Sequence, residues 1–318
     1  MLKIVSFTRL FNDDDCLEAF VRHHAAHVDE MLFVDYGSTD RTTEILQALR
    51  HEGFPLRVFQ SSAVSFDEIA VNGWGYQLAS QVMAADFVLF LGADEFISTP
   101  EFQPLATLLP DDKPALQIEV QLYGMVGEED ETEIVVPWRL RWRRATGLHR
   151  HNVILRAKLP DLLIAPNAQT ALRNGQPLSA FPLETVKLAH YNYRNGWQAM
   201  QKYSLGHLNA LAAGALGAKL SSAYHAPFTH LRDNPAAHLL DNPALYQEFL
   251  RSEAVEDPLP YLGGELSYSH PGDPGLKALS CLLHYAEALA RQHGRLLDEL
   301  PPAHRLVDDW NKSLKPLL

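Results

Sequence analysis

The most informative residues of this chain are carboxylates that follow two short apolar runs. Residues 31–35 read Met-Leu-Phe-Val-Asp and continue into Tyr-Gly-Ser-Thr-Asp at residues 36–40. Residues 87–91 read Phe-Val-Leu-Phe-Leu and continue through two small residues into Asp94 and Glu95. Buried parallel strands read as such apolar runs, and the ligands of open α/β sheets bind at the carboxyl ends of the strands. The two runs therefore predict one crevice that binds a polar ligand.

Asp94 and Glu95 stand where a carboxylate can hold a hard divalent cation. Mg²⁺ and Mn²⁺ prefer oxygen ligands, and Mg²⁺ in particular binds through few protein carboxylates together with substrate phosphates. A metal held there would neutralise a departing diphosphate, so these two residues are the first catalytic candidates. The alternative is structural, because both carboxylates can instead cap a helix that begins near Pro100.

The turn from Asp35 to Asp40 offers several ligand-binding groups within six residues. Gly37 permits a tight turn, and the hydroxyls of Ser38 and Thr39 can donate hydrogen bonds. Asp35 can accept a hydrogen bond from a base or a sugar. The alternative is a plain strand–turn–helix connection in which Thr39 or Asp40 caps the next helix.

Strands and helices are predicted to alternate over the first hundred residues. Strands are expected at 4–7, 31–35, 56–60 and 87–91, and helices at 17–28, from 39 or 40 to 50, and at 69–84. Such spacing implies right-handed crossovers in a doubly wound α/β sheet. Beyond Pro100, longer alternating strands are expected at 115–123, 134–143 and 153–156, and a short one at 186–191. From Trp197 onward the sequence indicates helices, so we expect a core of residues 1–195 and a mainly helical region of residues 196–318.

Composition limits the class of protein. The 318 residues are 47% hydrophobic and 21% charged, which is typical of a globular chain, and the net charge of −12 argues against nucleic-acid binding. Cys16 and Cys281 are far apart and lack metal-ligand spacing, which fits a reducing compartment. No segment approaches the ~20 apolar residues of a membrane-spanning helix, and the N-terminal run is too short for a signal peptide. These features predict a soluble, cytoplasmic protein, while attachment to a membrane surface stays open.

Four segments resemble the family 2 glycosyltransferases with the GT-A fold. Residues 35–42 resemble the D-x-G-S-T-D-x-T segment, and residues 93–96 resemble the tail of the D-x-D-E-F form of the metal motif, which points to that subgroup. Thr8-Arg9 with Asn12-Asp13 resembles the R-N-E opening, and residues 190–202 resemble a closing H-Y-x-x-R-S…K segment. The resemblance covers about residues 1–205.

The resemblance implies a Rossmann-like GT-A core with a mixed sheet that binds a nucleoside diphosphate sugar. Asp35 would contact the base or the ribose, and Asp94 with His190 would hold a divalent metal, Mn²⁺ or Mg²⁺, at the diphosphate. Further substrate contacts are assigned to Thr8, Arg9, Gly37, Ser38, Asp40, Ala93 and Arg194. The departure from the family pattern is Gly92, which stands where the family has the first acid of the metal motif. Glu95 is the residue that can compensate for this missing acid.

An inverting transfer also needs a general base that takes the proton of the acceptor hydroxyl. The acidic tip at residues 128–131 supplies candidates, of which Glu129 is our choice. The alternative is a solvated hairpin tip, since charge runs are commonly exposed. Asp67 and Glu68, which follow the third strand, form a second candidate pair.

Two other patterns have open interpretations. Residues 138–143 alternate apolar residues with arginines, so a strand there would place three arginines on one face, for a diphosphate or as a solvated surface. His23 and His27 share a helix face at a spacing that suits zinc. Because no third ligand stands nearby in the sequence, we expect an exposed helix face instead.

These observations predict a metal-assisted, inverting glycosyltransferase of the hexosyltransferase type. It would move a sugar from a nucleoside diphosphate sugar to a hydroxyl of a glycan or another acceptor. One alternative, motivated by Gly92, is a catalytically inactive relative that only binds the nucleotide sugar. The other is a nucleotidyltransferase, against which residues 8–12 count because they contain one Arg and no Gly. The sugar, the base, the acceptor and the oligomeric state cannot be read from these residues.

Overall fold

A computed structural model of the chain describes residues 2–61, 67–127, 129–130, 132–145, 151–166, 168–212, 222–234, 254–270 and 272–299. Two residues of the predicted acidic tip, Glu128 and Glu131, lie outside these ranges. Within the described ranges, no helix has both the length and the apolar character that crossing a membrane requires.

Strands and helices alternate over the first hundred residues, as the sequence predicts. The strands are β1 (Ile4–Leu10), β2 (Glu30–Asp35), β3 (Leu56–Gln60), β4 (Phe87–Phe90) and β5 (Glu95–Ser98). The helices are α1 (Leu17–His24), α2 (Thr42–Glu52) and α3 (Glu68–Gln77), and a π-helical turn at Leu78–Val82 continues α3. Glu95 thus begins a strand, and the helical turn near Pro100 is only a 3₁₀ turn at Pro100–Phe102.

The second part of the chain contains longer strands and then helices. After a further 3₁₀ turn at Leu105–Thr107, the strands are β6 (Ala115–Gly124), β7 (Trp142–Arg144), β8 (His151–Arg156), β9 (Leu162–Ile164), β10 (Ala171–Arg173), β11 (Gln176–Pro177), β12 (Phe181–His190) and β13 (Ala254–Glu256). The helices are α4 (Val136–Arg139), α5 (Gly196–Ala212), α6 (Ser222–Asp233) and α7 (Pro274–Glu299). The predicted α/β class with a mainly helical C-terminal region is therefore confirmed.

The main sheet is mixed. Its strands run in the order β13-β7-β6-β8-β4-β1-β2-β3, and β12 pairs with both β5 and β6. The pairs β1–β2, β2–β3 and β1–β4 are parallel, whereas β8 is antiparallel to both β4 and β6. A small second sheet contains β9, β10 and β11. Because β1, β2 and β4 run in the same direction, the turns that follow them meet at one edge of the sheet.

Apolar side chains cover both faces of the parallel strands. On one face, Phe20 of α1 and Leu49 of α2 pack in a buried cluster with Phe33 of β2. On the other face, Tyr76 of α3 packs in a second buried cluster with Phe7 of β1. Helices on both faces explain why these strands read as continuous apolar runs, since neither side of a strand faces water.

The predicted strand at 134–143 is wrong. Residues 136–139 form the short helix α4, and the strand β7 begins only at Trp142. Pro137 explains the difference, because a proline cannot donate a hydrogen bond to a sheet ladder but suits the first turn of a helix. The three arginines consequently do not share a strand face. Arg139 lies on α4, whereas Arg141 and Arg143 form ion pairs with Glu256 and Asp257 around β13.

The expectation that His23 and His27 lie on an exposed helix face is also wrong. Both are buried, and His23 hydrogen-bonds to the Ile97 carbonyl at 2.7 Å while its other ring nitrogen accepts from the Leu262 backbone N–H at 3.2 Å. Burial lowers the pKa of His23 to about 3 and that of His27 to about 4. His23 is therefore a neutral residue of the interior, covered by a segment distant in the sequence.

The segment that covers α1 comes from the C-terminal region. The Glu18 carboxylate accepts backbone N–H groups from Ser267, Tyr268 and Ser269 at 2.6–2.8 Å. Burial alone raises the pKa of Glu18, but these donors outweigh it and lower the pKa. In the same region β13 joins the main sheet through β7. The division at residue 195 stays a prediction, and both contacts cross it.

Candidate active site

The turn after β4 carries the central residue of the site. The Glu95 N–H donates to the Gly92 carbonyl at 3.1 Å, so the chain reverses between β4 and β5. The Glu95 carboxylate then accepts the Gly92 N–H at 2.8 Å and the Asn152 side-chain N–H at 3.0 Å. Glu95 is buried, holds the shape of the turn and lines the larger of two cavities at the site, whereas Asp94 lines both.

Three positively charged or titratable side chains surround one oxygen of Asp94. Its Oδ2 lies 3.0 Å from Lys202 Nζ, 3.4 Å from Arg194 Nη1 and 3.5 Å from His190 Nε2. Burial by itself raises the pKa of Asp94, but Lys202, His190 and Arg194 together hold it well below its usual range. Asp94 is therefore a stable carboxylate whose negative charge is balanced by neighbouring side chains.

Two elements from the second part of the chain bring these partners to Asp94. His190 ends β12, which pairs antiparallel with β5 so that His190 stands opposite Glu95, and the Tyr191 N–H donates to the Asp94 carbonyl at 2.8 Å. Lys202 lies on α5, and its ammonium also donates to the Asn192 side-chain oxygen. The site consequently depends on residues about one hundred positions away from Asp94.

Arg194 links Asp94 to a second carboxylate. Its guanidinium donates to both oxygens of Asp15, at 2.6 and 3.0 Å, and Nη1 also donates to the Tyr191 carbonyl at 3.2 Å. Although burial disfavours the charged form, Asp15 and the other nearby acids raise the pKa of Arg194. Despite its own burial, the pKa of Asp15 is lowered, chiefly by Arg194. Two carboxylates and two cations thus form a partly buried cluster, which we call the Asp94 cluster (Asp15, Asp94, Arg194 and Lys202).

Gly92 leaves space that the Asp94 carboxylate uses. A Cβ placed at this position would lie 2.6 Å from Asp94 Oδ1, so any side chain there requires Asp94 to move. The acid that the family has at this position would therefore have to displace Asp94. Ala93 is buried beside it and lines the crevice with its small side chain.

Asp35 is placed differently from Asp94. It is fully buried, and its carboxylate accepts the N–H groups of Gly37 and Ser38 at 3.2 Å and the Gln60 side-chain N–H at 3.3 Å. Gly37 has φ +80°, which a residue without Cβ adopts freely. Asp35 therefore shapes the turn after β2, and its contact with a base or a ribose stays a prediction.

Asn12 joins the turn after β1 to the turn after β2. Its side-chain oxygen accepts the backbone N–H groups of Thr39 and Asp40 at 2.7 and 3.1 Å. Its backbone N–H donates to Ser38 Oγ at 2.9 Å. Asp40 accepts the Thr42 N–H at 2.9 Å at the start of α2 and lies 3.3 Å from Lys277 Nζ. Asp40 lines a cavity of about 520 Å³ that Asp94 does not line.

Two cavities meet at Asp94. The smaller, about 260 Å³, is lined by Phe11, Asp13 and Tyr36, and the larger, about 540 Å³, by amide side chains of Asn72, Asn152 and Asn192 and by His190. Both are lined by Arg9, Glu68, Gly92, Asp94, Lys202 and Tyr224. Together the two cavities form one crevice with Asp94 and Lys202 at its middle.

Arg9 brings a further cation to this crevice. Its guanidinium pairs with Glu68 at 2.8 Å and donates to the Pro166 carbonyl at 3.0 Å. Thr8, the preceding residue, is buried in the sheet and lines neither cavity. Of the two residues predicted from the R-N-E resemblance, Arg9 is therefore the one that the fold places in the crevice.

Glu129 lies apart from the Asp94 cluster. It accepts backbone N–H groups from Val126 and Gly127, and it lines a separate cavity together with Trp138 and Arg139. Its assignment as general base stays a prediction, because the structure does not bring Glu129 and Asp94 to one cavity. Glu68, from the second predicted pair, does line both cavities of the crevice.

The sequence assigned no role to Lys202 and Asp13, which line the crevice, or to Asp15, which pairs with Arg194. Lys202 was visible only as the last residue of the closing segment, and Asp13 and Asp15 belong to an acidic run that suits a helix start. Burial raises the pKa of Asp13 to about 7, so this carboxyl titrates near neutrality. A buried pair such as Arg194–Asp15 leaves no local pattern in a sequence, since its members are 179 positions apart.

The described side chains do not fit a divalent metal at Asp94. Asp94 and His190, the two predicted ligands, face each other at 3.5 Å, but no group of three or more His, Cys, Asp or Glu suited to a metal occurs among the residues that the structure describes. The Lys202 ammonium contacts Asp94 Oδ2, the same oxygen that faces His190 Nε2. A second cation at this oxygen would meet strong repulsion in a buried site.

Residues 10–151 match the family model described as glycosyl transferase family 2. The match includes both β2 with its turn and Asp94, and it ends before His190, Arg194 and Lys202. It supports a glycosyltransferase with a GT-A-like α/β core. No curated protein matches the chain.

The chain has low similarity to several solved structures. TarS 1-349 of S. aureus has 15% identity and a TM-score of 0.37, with 79% of each chain covered. Glucosyl-3-phosphoglycerate synthase of Mycobacterium tuberculosis with Mn²⁺, uridine diphosphate and phosphoglyceric acid has 16% identity and a TM-score of 0.34, with 65% of this chain and 75% of that one covered. The same enzyme with Mg²⁺ and uridine diphosphate has 16% identity and a TM-score of 0.26, with 38% and 44% covered.

Proposed function

We propose that this protein transfers a sugar from a nucleoside diphosphate sugar to an acceptor hydroxyl at the crevice around Asp94. One observation carries the proposal. Within the segment that matches glycosyl transferase family 2, Asp94 stands at the junction of two cavities beside Lys202 and Arg194. Cations at this point suit a diphosphate, because charge-assisted hydrogen bonds to phosphate are the strong ones.

The smaller cavity suits the nucleotide part of the donor. Phe11 and Tyr36 line it, and aromatic rings offer stacking surfaces to any base. Arg9 borders it and can pair with a phosphate. The larger cavity, about 540 Å³, has the room for the sugar and the acceptor. Its amide side chains suit both, since amides donate hydrogen bonds to hydroxyls and accept them.

We propose a single displacement with inversion. The acceptor oxygen forms a bond to the anomeric carbon, while the bond from that carbon to the diphosphate oxygen breaks and its electron pair stays on the diphosphate. A carboxylate takes the hydroxyl proton. Besides Asp94, Glu68 and Glu95 line the larger cavity that we assign to the acceptor, whereas Asp13 lines only the smaller one. Glu68 is our candidate base, because the Glu95 carboxylate already accepts the Gly92 and Asn152 N–H groups.

The resemblance implies a divalent metal, which the residues around Asp94 do not suit. Mn²⁺ or Mg²⁺ would need Asp94 and His190 as ligands, and Lys202 occupies the same oxygen. A hexose as the transferred sugar and a glycan as the acceptor stay proposals for the same reaction.

An inactive relative that binds the nucleotide sugar is the second candidate, because Gly92 replaces an acid of the family motif. Incubating the protein with UDP-, GDP- and ADP-sugars separates the two readings by the nucleoside diphosphate released in the presence of an acceptor mixture. Transfer predicts release that stops in Asp94→Asn. Binding without release, seen as a raised melting temperature only, contradicts transfer and favours the inactive relative.

A matched control keeps this experiment specific. Asp112 is also an aspartate paired with a lysine, Lys113, at 2.7 Å, but it lies on the surface. Asp112→Asn is expected to release nucleotide at the rate of the unmodified protein. Equal losses in both variants would mean that the effect of Asp94→Asn does not come from the crevice.

A further inference from the structure

We propose that Lys202, held on Asp94, supplies the positive charge that a divalent metal supplies in metal-dependent transfer, so that donor binding and transfer by this protein need no metal. The inference rests on the proposed function, since it concerns the diphosphate of the same donor. It names Lys202 as a further catalytic residue.

The position of Lys202 carries the inference. Its ammonium lies 3.0 Å from Asp94 Oδ2 and borders both cavities of the crevice. An ammonium has three donors, and among the described residues Asp94 and Asn192 accept two hydrogen bonds from it. A donor therefore stays available for a diphosphate oxygen that enters from either cavity.

Arg194 adds the second unit of charge. Asp15 accepts two hydrogen bonds from its guanidinium and the Tyr191 carbonyl a third, which fixes the side chain so that Nη1 reaches Asp94. Lys202 and Arg194 together carry two positive charges, as one divalent ion does, with Asp94 and Asp15 as their counter-ions. Because both are positioned before the substrate arrives, they need no rearrangement when charge develops on the leaving diphosphate.

The ligand set at Asp94 is correspondingly poor for a metal. Mg²⁺ requires oxygen ligands at about 2.0–2.1 Å in near-octahedral geometry, and an ion at that distance from Oδ2 would come close to the Lys202 ammonium. Gly92 contributes no carboxylate, and the Glu95 carboxylate is hydrogen-bonded to Gly92 and Asn152. The missing acid at Gly92 and the ammonium of Lys202 therefore both disfavour a metal at Asp94.

The role of Lys202 in the reaction follows from charge balance. When the bond between the anomeric carbon and the diphosphate oxygen breaks, its electron pair stays on that oxygen. The ammonium donates a hydrogen bond to the developing negative charge and keeps its proton. Asp94 holds the ammonium in place, so it acts as the positioning residue for Lys202.

Metal dependence of the intact protein is the first test. Donor binding by calorimetry and nucleotide release are measured in EDTA and in Mn²⁺, and bound Mn²⁺ is measured by electron paramagnetic resonance with and without nucleoside diphosphate. We expect equal donor affinity and rate within about twofold, and no bound Mn²⁺ that depends on Asp94. Loss of binding in EDTA with recovery in Mn²⁺, or a Mn²⁺ signal abolished by Asp94→Asn, overturns the inference.

Substitution of Lys202 is the second test. Lys202→Met is expected to lower the rate of release by about 100-fold or more, the loss typical of one donor to a developing charge. Lys202→Arg, which keeps the charge, is expected to lose less. Lys187, which pairs with Glu119 at 2.6 Å on β12, provides the control, and Lys187→Met should leave the rate unchanged. Full activity of Lys202→Met overturns the inference.

The two tests separate this inference from the function on which it rests. If no nucleoside diphosphate sugar binds in EDTA or in Mn²⁺, the proposed function itself fails. If a donor binds only with metal, transfer survives and the role of Lys202 fails. Should Lys202→Met not fold, the comparison of EDTA with Mn²⁺ on the unmodified protein still decides the matter.

Discussion

Two strands that flank β1 in the sheet, β2 and β4, lead into aspartates, and the two carboxylates are held in opposite ways. Asp35, at the end of β2, accepts hydrogen bonds from two backbone N–H groups and one amide. Asp94, in the turn after β4, is held by the side chains of Lys202, Arg194 and His190. Backbone donors make the Asp35 carboxylate part of its own turn. The cations that hold Asp94 can also bind an anionic ligand.

The two carboxylates also differ in how far along the sequence their partners lie. The partners of Asp35 lie within 25 positions of it, while Arg194 and Lys202 lie 100 and 108 positions from Asp94. Local partners make Asp35 a part of the β2–α2 connection. Distant partners make Asp94 a point where the first and second parts of the chain meet.

The largest effect is expected for Asp94→Asn, which tests the charged side of the comparison. Removing this charge leaves Lys202 and Arg194 without their shared partner in a buried site, and we expect transfer to fall by about 100- to 1,000-fold. Single-turnover release of nucleotide measures the loss. Retained transfer would show that the cluster has only a structural role.

Asp35→Ala tests whether the carboxylate held by backbone N–H groups stabilises the turn after β2. Two backbone N–H groups and the Gln60 amide would lose their acceptor in a buried turn, and such a loss costs about 1–3 kcal/mol of unfolding free energy. Urea unfolding followed by circular dichroism measures this cost. An unchanged stability with a large loss of donor binding would contradict our description and favour the predicted contact with the base.

A third carboxyl, that of Asp13, is expected to make the stability of the protein depend on pH. Asp13 has its pKa raised to about 7 by burial, so the folded protein holds a proton that the unfolded chain releases near pH 4. Its contribution to stability is complete below the unfolded pKa and decreases as the pH rises towards 7. Asp94, with a lowered pKa, contributes above its unfolded pKa and loses this contribution only in acid.

Melting temperatures of the protein and of Asp13→Asn between pH 5 and pH 8 measure this effect. We expect the protein to lose stability over this range and the variant to lose less, because the amide does not titrate. Parallel curves for the two proteins would show that Asp13 does not carry the dependence.

Gly92→Ala is expected to have a moderate effect. The new Cβ would lie 2.6 Å from Asp94 Oδ1, so the carboxylate must shift away from its partners, and we expect about a tenfold loss of transfer. Gly73→Ala is the control, since a Cβ there meets nothing within 4 Å. Equal rates for the two variants would mean that the position of Asp94 is less restricted than the structure indicates.

Glu129→Gln is expected to have the smallest effect. Glu129 lines a cavity with Trp138 and Arg139 and does not line the crevice around Asp94, so the rate should change by less than about twofold. A loss comparable to that of Asp94→Asn would restore Glu129 as the general base. It would also require the cavity that Glu129 lines and the crevice around Asp94 to come together during the reaction.

The local elements were predictable because their signals are local. β3 has the predicted bounds, and β2 and β4 differ from the predicted strands by one residue at one end. Apolar runs with turn residues at their ends are enough to specify a buried strand. The prediction of a strand at 134–143 was wrong because it followed the alternation of Trp and Arg and ignored Pro137. Proline is disfavoured inside a strand and suits the first turn of a helix.

Burial of polar residues was not predictable in the same way. His23 looked exposed because its own helix offers no ligand, but a segment more than two hundred positions later covers it and donates a hydrogen bond to its ring. Arg194 likewise gives no sign in the sequence that it pairs with Asp15. The partner of a buried charge is chosen by the tertiary fold, since periodicity carries no information about contacts between distant segments.

The sequence by itself determined the α/β class, the order of the first strands and the position of Asp94 after an apolar strand. Hydrophobic periodicity and turn chemistry act between near neighbours, which is why these features can be read from residue order. Only the tertiary structure decided that Lys202 and Arg194 reach Asp94 and that Asp35 is held by its own turn. Desolvated charges must be paired wherever the fold places them, and the fold brings these charges together across the whole sheet.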